Sequence, residues 1–255
     1  MSVLNQDYKD IEYIVMDGGS SDASIEIIRR YADRISHWQS GPDGGQSAAI
    51  AEGFRIASGE ILCWLNSDDT LLPGALSKVA AFFLRHPECE VVSGGAVLID
   101  ERSMVCNSLA SPYTLGVPAT YSRLRFYGQE GVYQQGTFWR KSAYDAVGGL
   151  DTRLQFIMDL DLFARLAKRK PFCRLPDLLA CFRLHRNSKT STMLAVHERE
   201  LVDFRALNRG GDWASHFGSA LRFYYKQQSR VRRARLALAM PLVLKKKAPH
   251  LWNRI

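Results

Sequence analysis

Twice in this chain a short β-rich apolar run ends abruptly in a polar turn and is followed by a segment of helical periodicity. Residues 11–16 (IEYIVM) run into Asp17, Gly18 and Gly19, and residues 61–65 (ILCWL) run into Asn66, Ser67, Asp68 and Asp69. Runs of this kind read as strands buried in a sheet, each ending in a loop. After the first loop, Ile25, Ile28, Tyr31 and Ile35 recur at helical spacing, with Ser20, Ser21 or Asp22 available as a cap. Residues 48–57 read as a second helix stopped at Ser58-Gly59, and Leu72, Leu76, Val79 and Phe83 mark a third. Short strands follow at 91–93 and 97–99, then a helix at 160–168 and a strand at 178–185. Leu194, His197, Leu201 and Phe204 suggest a final helix, and 104–135, rich in Tyr, Ser and Gly, reads as a loop region at the active site. The alternation predicts an α/β fold: a mixed, mostly parallel sheet with helices on both faces. In such sheets ligands bind beyond the carboxyl ends of the strands, so Asp17 and the Asn66–Asp69 cluster are expected to line one crevice.

Composition sets the outer bounds. With 255 residues, 46% hydrophobic and 24% charged, the chain has material for a real core. Its five cysteines are scattered in a pattern that fits neither a zinc site nor a disulfide framework, and are expected to be reduced, mostly buried thiols. Neither a signal peptide nor a spanning apolar stretch is visible, so a cytoplasmic location is expected. The net charge of +8 is uneven: residues 220–255 contain no Asp or Glu, and the rest is close to neutral. A basic tail around Leu236, Leu238, Met240, Leu242 and Leu244 suggests an anionic membrane surface, with a solvated helix packed on the body as the alternative. Nucleic acid is not expected as a partner, because the tail has no recognised motif and the loops elsewhere are acidic.

Four constellations carry candidate chemistry. Adjacent carboxylates in the Asn66–Asp69 loop suit a hard cation such as Mg²⁺ or Mn²⁺ that shares its remaining positions with diphosphate oxygens; the alternative is a cap for the next helix. In Met158-Asp159-Leu160-Asp161, a carboxylate at a helix start is placed to act as a general base, or to complement the helix dipole. Arg183 and His185 at a strand end offer phosphate pairing and metal ligation, or a structural role. Asp43-Gly44-Gly45-Gln46-Ser47 opens a helix with free N–H groups that a phosphate or sugar can approach, or is simply a turn.

Taken in order, "SVLNQDYKDIEYIVMDGGSSDAS", "GPDGGQSAAIAEGFRIASGEILCWLNSDD", "QQGTFWRKSAYDAVGGLD", "MDLDLFARLAKR" and "FRLH" resemble the family 2 glycosyltransferases, with their GT-A-type fold. The resemblance implies an inverting enzyme in which Asp159 is the catalytic base and Asp68 the metal-binding end of a D-x-D motif. It places Asp17 against the nucleobase, Asp43 and Gln46 on the donor sugar or ribose side, Gln134 to Thr137 (Gln135 among them) near donor and acceptor, and Arg183 and His185 toward the diphosphate, His185 also at the metal. Asn66 stands where the family has the first Asp of that motif, and Met158 where an acidic residue precedes the base. The family's first strand, central in its sheet, has no counterpart ahead of residues 11–16. That absence should leave the first observed strand unpaired on one side and remove part of the donor pocket.

The expectations are a transferase domain over 1–207 and a basic helical extension over 208–255. The substrates would be a nucleotide-sugar donor and a saccharide or lipid-linked saccharide acceptor, in surface polysaccharide or glycolipid synthesis, at the inner face of the membrane. The competing readings are a non-catalytic transferase-fold interaction module and a nucleotidyltransferase. The second of these wants a basic, glycine-rich phosphate loop that the chain lacks.

Overall fold

The computed structural model describes residues 1–107 and 132–207. The basic tail, and most of the region expected at 104–135, lie outside the described residues. In chain order the elements are β1 (Ile14–Asp17), α1 (Ser24–Arg30), β2 (His37–Ser40), α2 (Gln46–Ile56), β3 (Ile61–Leu62), β4 (Thr70–Leu71), α3 (Ala75–Arg85), β5 (Val91–Ile99) and β6 (Val105–Asn107). They continue as β7 (Thr137–Arg140), α4 (Lys141–Ala146), α5 (Met158–Arg169), β8 (Cys173–Arg183), α6 (Lys189–Thr192) and α7 (Leu194–Leu207).

The main sheet runs β3-β7-β5-β8-β4, with β6 beside the far end of β5. Successive residues of a strand point to opposite faces, and here they enter two separate cores. Val91 and Trp139 pack with Phe54 of α2, Tyr144 of α4 and Leu162 and Leu166 of α5. Val92 and Phe138 pack with Val79, Phe82 and Phe83 of α3. Helices therefore cover both faces, as expected, and each does so with one apolar stripe: α3 buries Ala75, Val79, Phe82 and Phe83. The sheet is mixed but less parallel than the strand–helix alternation implied. β1–β2 and β5–β8 are parallel, while β3–β7, β4–β8, β5–β7 and β5–β6 are antiparallel. Parallel neighbours need a crossover connection, but a helix between two strands does not oblige them to be parallel: β4 and β5, joined through α3, run in opposite directions.

The two short strands expected at 91–93 and 97–99 are one nine-residue strand, buried throughout. Gly94 joins them because β8 leaves no room there: a Cβ on Gly94 would lie 2.4 Å from Leu179 Cδ1. The cysteine expectation is corrected. Cys89 and Cys173 form a disulfide, because the β5–β8 register pairs Val92 with Cys173 and brings the two cysteine Cα atoms to 6.2 Å. A separation of 84 residues hid this contact from a reading of spacing. Cys63 and Cys181 are free thiols.

β1 and β2 form a sheet of their own, and among the described residues β1 has β2 as its only partner. β3 likewise pairs only with β7. Yet β1 and β3 are framed as neighbours. At their starts the Glu12 carboxylate accepts the Ser58 and Gly59 N–H groups at 2.7 and 3.0 Å. Just beyond their ends, Gln46 donates to Asn66 at 2.8 Å. α2 spans both, with Gly53 against Met16 and Phe54 edge-on to Trp64. Between them lies part of a cavity of about 1760 Å³, lined by Ile14 and Met16 on one wall and Ile61 and Cys63 on the other. A small-molecule pocket typically needs about 300–1,000 Å³. The cavity exceeds that because it takes in both the crevice at the strand ends and the open seam between β1 and β3. Its consequence shows in β1, none of whose residues is fully buried.

Candidate active site

The same cavity widens into a crevice at the carboxyl ends of β1 and β3. Asp43, Gln46, Asp68, Gln135, Asp159 and His185 all line it. Six of the eight residues singled out from the sequence are thus brought together from five separate segments. Asp17 and Arg183 are not among the residues that line it.

The loop after β3 settles one alternative. α3 starts at Ala75, its cap position is Gly74, and no side chain caps it, so neither Asp68 nor Asp69 serves as a helix cap. Asp69 is buried, with its carboxylate taken by the Arg183 N–H at 2.9 Å and the Gln135 side-chain amide at 2.8 Å. Burial pushes its carboxyl up to about 6, since the hydrogen bonds from Arg183, Gln135 and Asn66 only partly offset the lost solvation and the Asp68 charge adds to it. Asp68 instead reaches into the crevice, 3.0 Å from His185 Nε2. The two residues read from sequence as metal ligands therefore meet.

Asp159 lies in the first turn of α5 and accepts the Leu160 N–H at 2.8 Å. Burial raises its pKa above the ordinary carboxylate value, against the pull of backbone N–H groups and of the Lys189 charge. The neighbouring Asp161 has a different fate: it pairs with Arg165 at 2.7 Å, one helical turn on. The loop ahead of Asp159 is held by a residue that sequence reading missed. Glu200 of α7, itself buried, accepts the N–H groups of Gln155, Phe156 and Ile157 at 2.7, 2.9 and 3.0 Å. These are donors that the start of α5 would otherwise leave unmet. A signal was present, because Glu200 falls in phase with His197 and Phe204 on the apolar face of α7.

The remaining residues shape the walls. Asp17 accepts from the Ser20 and Ser40 hydroxyls and from the Gly19 and Ser20 N–H groups, chiefly through the side chains, and these hold its carboxyl down to about 2. It organises the loop beside Asp43, whose own carboxylate accepts the Gly45 N–H at 2.8 Å. The Arg183 guanidinium donates through Nε to the Asp68 carbonyl and through Nη1 to the Asp100 carbonyl and the Ser103 hydroxyl. These bonds hold Arg183 between the Asp68 loop and the β5–β6 turn.

Comparison with known proteins bears on what such a crevice does. The profile described as Glycosyl transferase family 2 matches residues 1–148. The chain belongs to this family. Among curated glycosyltransferases it is similar to an uncharacterized one from Mycobacterium tuberculosis, 28% identical over 169 residues, 65% of this chain and 61% of that protein. It is also similar to a PGL/p-HBAD biosynthesis glycosyltransferase from Mycobacterium bovis, 25% identical over 168 residues, 64% of this chain and 61% of that protein. The match thus spans about three fifths of these relatives' length. Among solved structures, S. aureus TarS 1-349 in complex with UDP-GlcNAc superposes with a TM-score of 0.61 at 17% identity, covering 98% of this chain and 72% of that one. The mannosyltransferase PcManGT from Pyrobaculum calidifontis, in complex with GDP-Man and Mn²⁺, gives 0.59 at 15% identity, covering 98% and 76%. The shared architecture is the GT-A fold.

For this glycosyl transferase family 2 chain, the residues present fit a divalent cation only in a sparse way. Among the described residues no group of three or more His, Cys, Asp or Glu could hold a metal. The Asp68–His185 pair supplies one oxygen and one nitrogen facing open crevice. Such a pair suits a cation that takes its other ligands from phosphate and water. No helix among the described residues is long and apolar enough to cross a membrane.

Proposed function

We propose that the chain is the nucleotide-sugar-binding and catalytic unit of an inverting glycosyltransferase. The observation that carries this reading is that Asp159 and the Asp68–His185 pair, from three separate segments of the chain, converge on one crevice. Asp159 takes the proton of an acceptor hydroxyl. The freed oxygen forms a bond to the anomeric carbon as the bond from that carbon to the diphosphate breaks on the opposite face, and the nucleoside diphosphate leaves. A pKa raised by burial suits a base that must hold the proton it gains. Asp68 and His185 would hold Mg²⁺ or Mn²⁺, which when bound neutralises charge on the departing diphosphate. Asp43, Gln46 and Gln135 line the donor side. The acceptor class is a saccharide or lipid-linked saccharide in surface polysaccharide or glycolipid synthesis, a reading supported by the PGL/p-HBAD relatives. The basic segment 220–255 is assigned to an anionic inner-face membrane surface.

The test is a screen of UDP-GlcNAc, GDP-mannose and other nucleotide-sugars for release of nucleoside diphosphate, with and without Mn²⁺. Metal-stimulated release from one donor class supports the reading. The open seam beside the donor crevice favours a second one, a transferase fold that binds without catalysing. That alternative is supported if a donor binds but no nucleotide is released under any metal condition.

A further inference from the structure

A run of hydrogen bonds crosses the wall of the crevice, and its two ends allow it only one direction. At one end is the ammonium of Lys189, the first residue of α6, which has hydrogens to give and no lone pair to accept with. It donates to Gln46 Oε1 at 2.6 Å. The Gln46 amide nitrogen is then left to donate to Asn66 Oδ1, at 2.8 Å. At the other end is the Trp64 main-chain carbonyl, which only accepts, and Gln134 Nε2 donates to it at 2.6 Å. Gln134 therefore turns its own carbonyl oxygen toward Asn66, whose Nδ2 lies 3.4 Å from it. The same Nδ2 is 3.3 Å from Asp69 Oδ2, an oxygen that also accepts from Gln135 at 2.8 Å. Asn66 thus has a donor on one side and two acceptors on the other. Gln46, Asn66, Gln134 and Lys189 all line the cavity.

We infer that Asn66 is a positioning residue: its amide joins the two halves of this run and so fixes the loop that carries Asp68 against α2 and the turn at Gln134–Gly136. This rests on the proposed role of Asp68 at the donor diphosphate. The position demands an amide, because an amide has both an acceptor and a donor. A carboxylate at 66 would keep the bond from Gln46 but would set its other oxygen against Asp69 Oδ2 and Gln134 Oε1. Neither of those oxygens has a hydrogen to offer at neutral pH. Gln134 cannot turn over to help, since its nitrogen is held by the Trp64 carbonyl. Asp69 is buried, and a second negative charge beside it is costly. An acid at 66, where the D-x-D motif has its first, would therefore loosen the loop rather than strengthen its hold on a cation.

Two readouts test this in the unaltered protein, Asn66→Asp, Lys189→Met and Lys189→Arg: side-chain amide signals by ¹⁵N NMR without ligand, and binding of UDP and GDP with Mn²⁺ by calorimetry. In Asn66→Asp the Gln134 and Gln135 amide signals are expected to shift, and that of Gln46, which keeps its acceptor, to shift less. In Lys189→Met the Asn66 amide signal is expected to move, although the bond removed is the next one along, between residue 189 and Gln46. Lys189→Arg, which keeps a donor-only end, is expected to leave it in place. The nucleotide that binds the unaltered protein is expected to bind Asn66→Asp roughly tenfold more weakly, the scale of one buried hydrogen bond left unmade. Equal or tighter binding in Asn66→Asp overturns the inference, because the position then tolerates or uses a second carboxylate. An Asn66 amide signal unmoved in Lys189→Met overturns it as well. Should Asn66→Asp fail to fold, the Lys189→Met signal decides. Should neither nucleotide bind the unaltered protein, the functional reading fails and the amide signals alone decide on Asn66.

Discussion

Asp68 and Asp69 are adjacent carboxylates with opposite environments, and the difference assigns their work. Asp69 is 4% exposed and hydrogen-bonded by the backbone and side chains around it, so it supports the loop. Asp68 meets His185 in the crevice. Binding of UDP and GDP in the presence of Mn²⁺, measured by calorimetry, is expected to fall at least tenfold in Asp68→Ala and His185→Ala, whichever nucleotide binds. Equal affinity with and without Mn²⁺ in the unaltered protein would remove both from a metal role. For Asp69 the sign of the pH effect follows from linkage. Its folded pKa, about 6, lies above the ordinary Asp value, so between roughly pH 4 and 6 the folded state binds more protons than the unfolded state. Stability from this group is present at low pH and is lost as pH rises through 6. Asp69→Asn lacks the titration, so its melting temperature relative to the unaltered protein is expected to rise across that window, by the equivalent of at most about 3 kcal/mol. A difference that stays constant with pH contradicts the burial argument. None of this division was visible in "NSDD", because burial is decided by β8 and by the turn at Gln134–Gly136, distant in sequence.

At the scale of elements, strand and helix types were legible and their pairings were not. Hydrophobic period located α2, α3 and α5, which cover the sheet, and α7, whose Phe204 packs on α5, because each buries one stripe. It failed at β5, where Gly94 and Gly95 interrupt the apolar pattern but let β8 approach, so one strand read as two. Cys89 and Cys173 are invisible as a pair for the same reason: register is a property of two strands, not one. Two outcomes are expected here. Amides of β1, with a single neighbour and no fully buried residue, should exchange with solvent well before those of β5, which lies between β7 and β8. Equal protection in the two strands would mean the seam is closed in solution. Glu200→Gln should destabilise the fold by about 1–3 kcal/mol, because an amide oxygen cannot satisfy all three N–H groups that the carboxylate now accepts. Unfolding in denaturant reads this directly, and an unchanged midpoint would show that the clamp is dispensable.

At the scale of the whole molecule, the site was more legible than the sheet that carries it. Five motifs in order located the carboxylates, because loops at strand ends keep their chemistry wherever the strands lie. The seam between β1 and β3 was legible only through resemblance to the family, since no periodicity within a strand says which strand lies beside it. Glu200 and Lys189 were missed because one is a charged residue on an apolar helix face and the other sits in a four-residue helix with no pattern of its own. What ties these parts to the proposed function is Asp159, which lines the crevice that Asp68 and His185 also line. The most direct measurement is therefore turnover against binding in Asp159→Asn, with the donor that the nucleotide-release screen selects. Nucleotide affinity is expected to stay within about twofold of the unaltered protein, while turnover drops by roughly 10²-fold or more, the scale of a lost general base. Turnover that survives the substitution with binding intact would contradict the assignment of Asp159 and, with it, the proposed chemistry of the crevice.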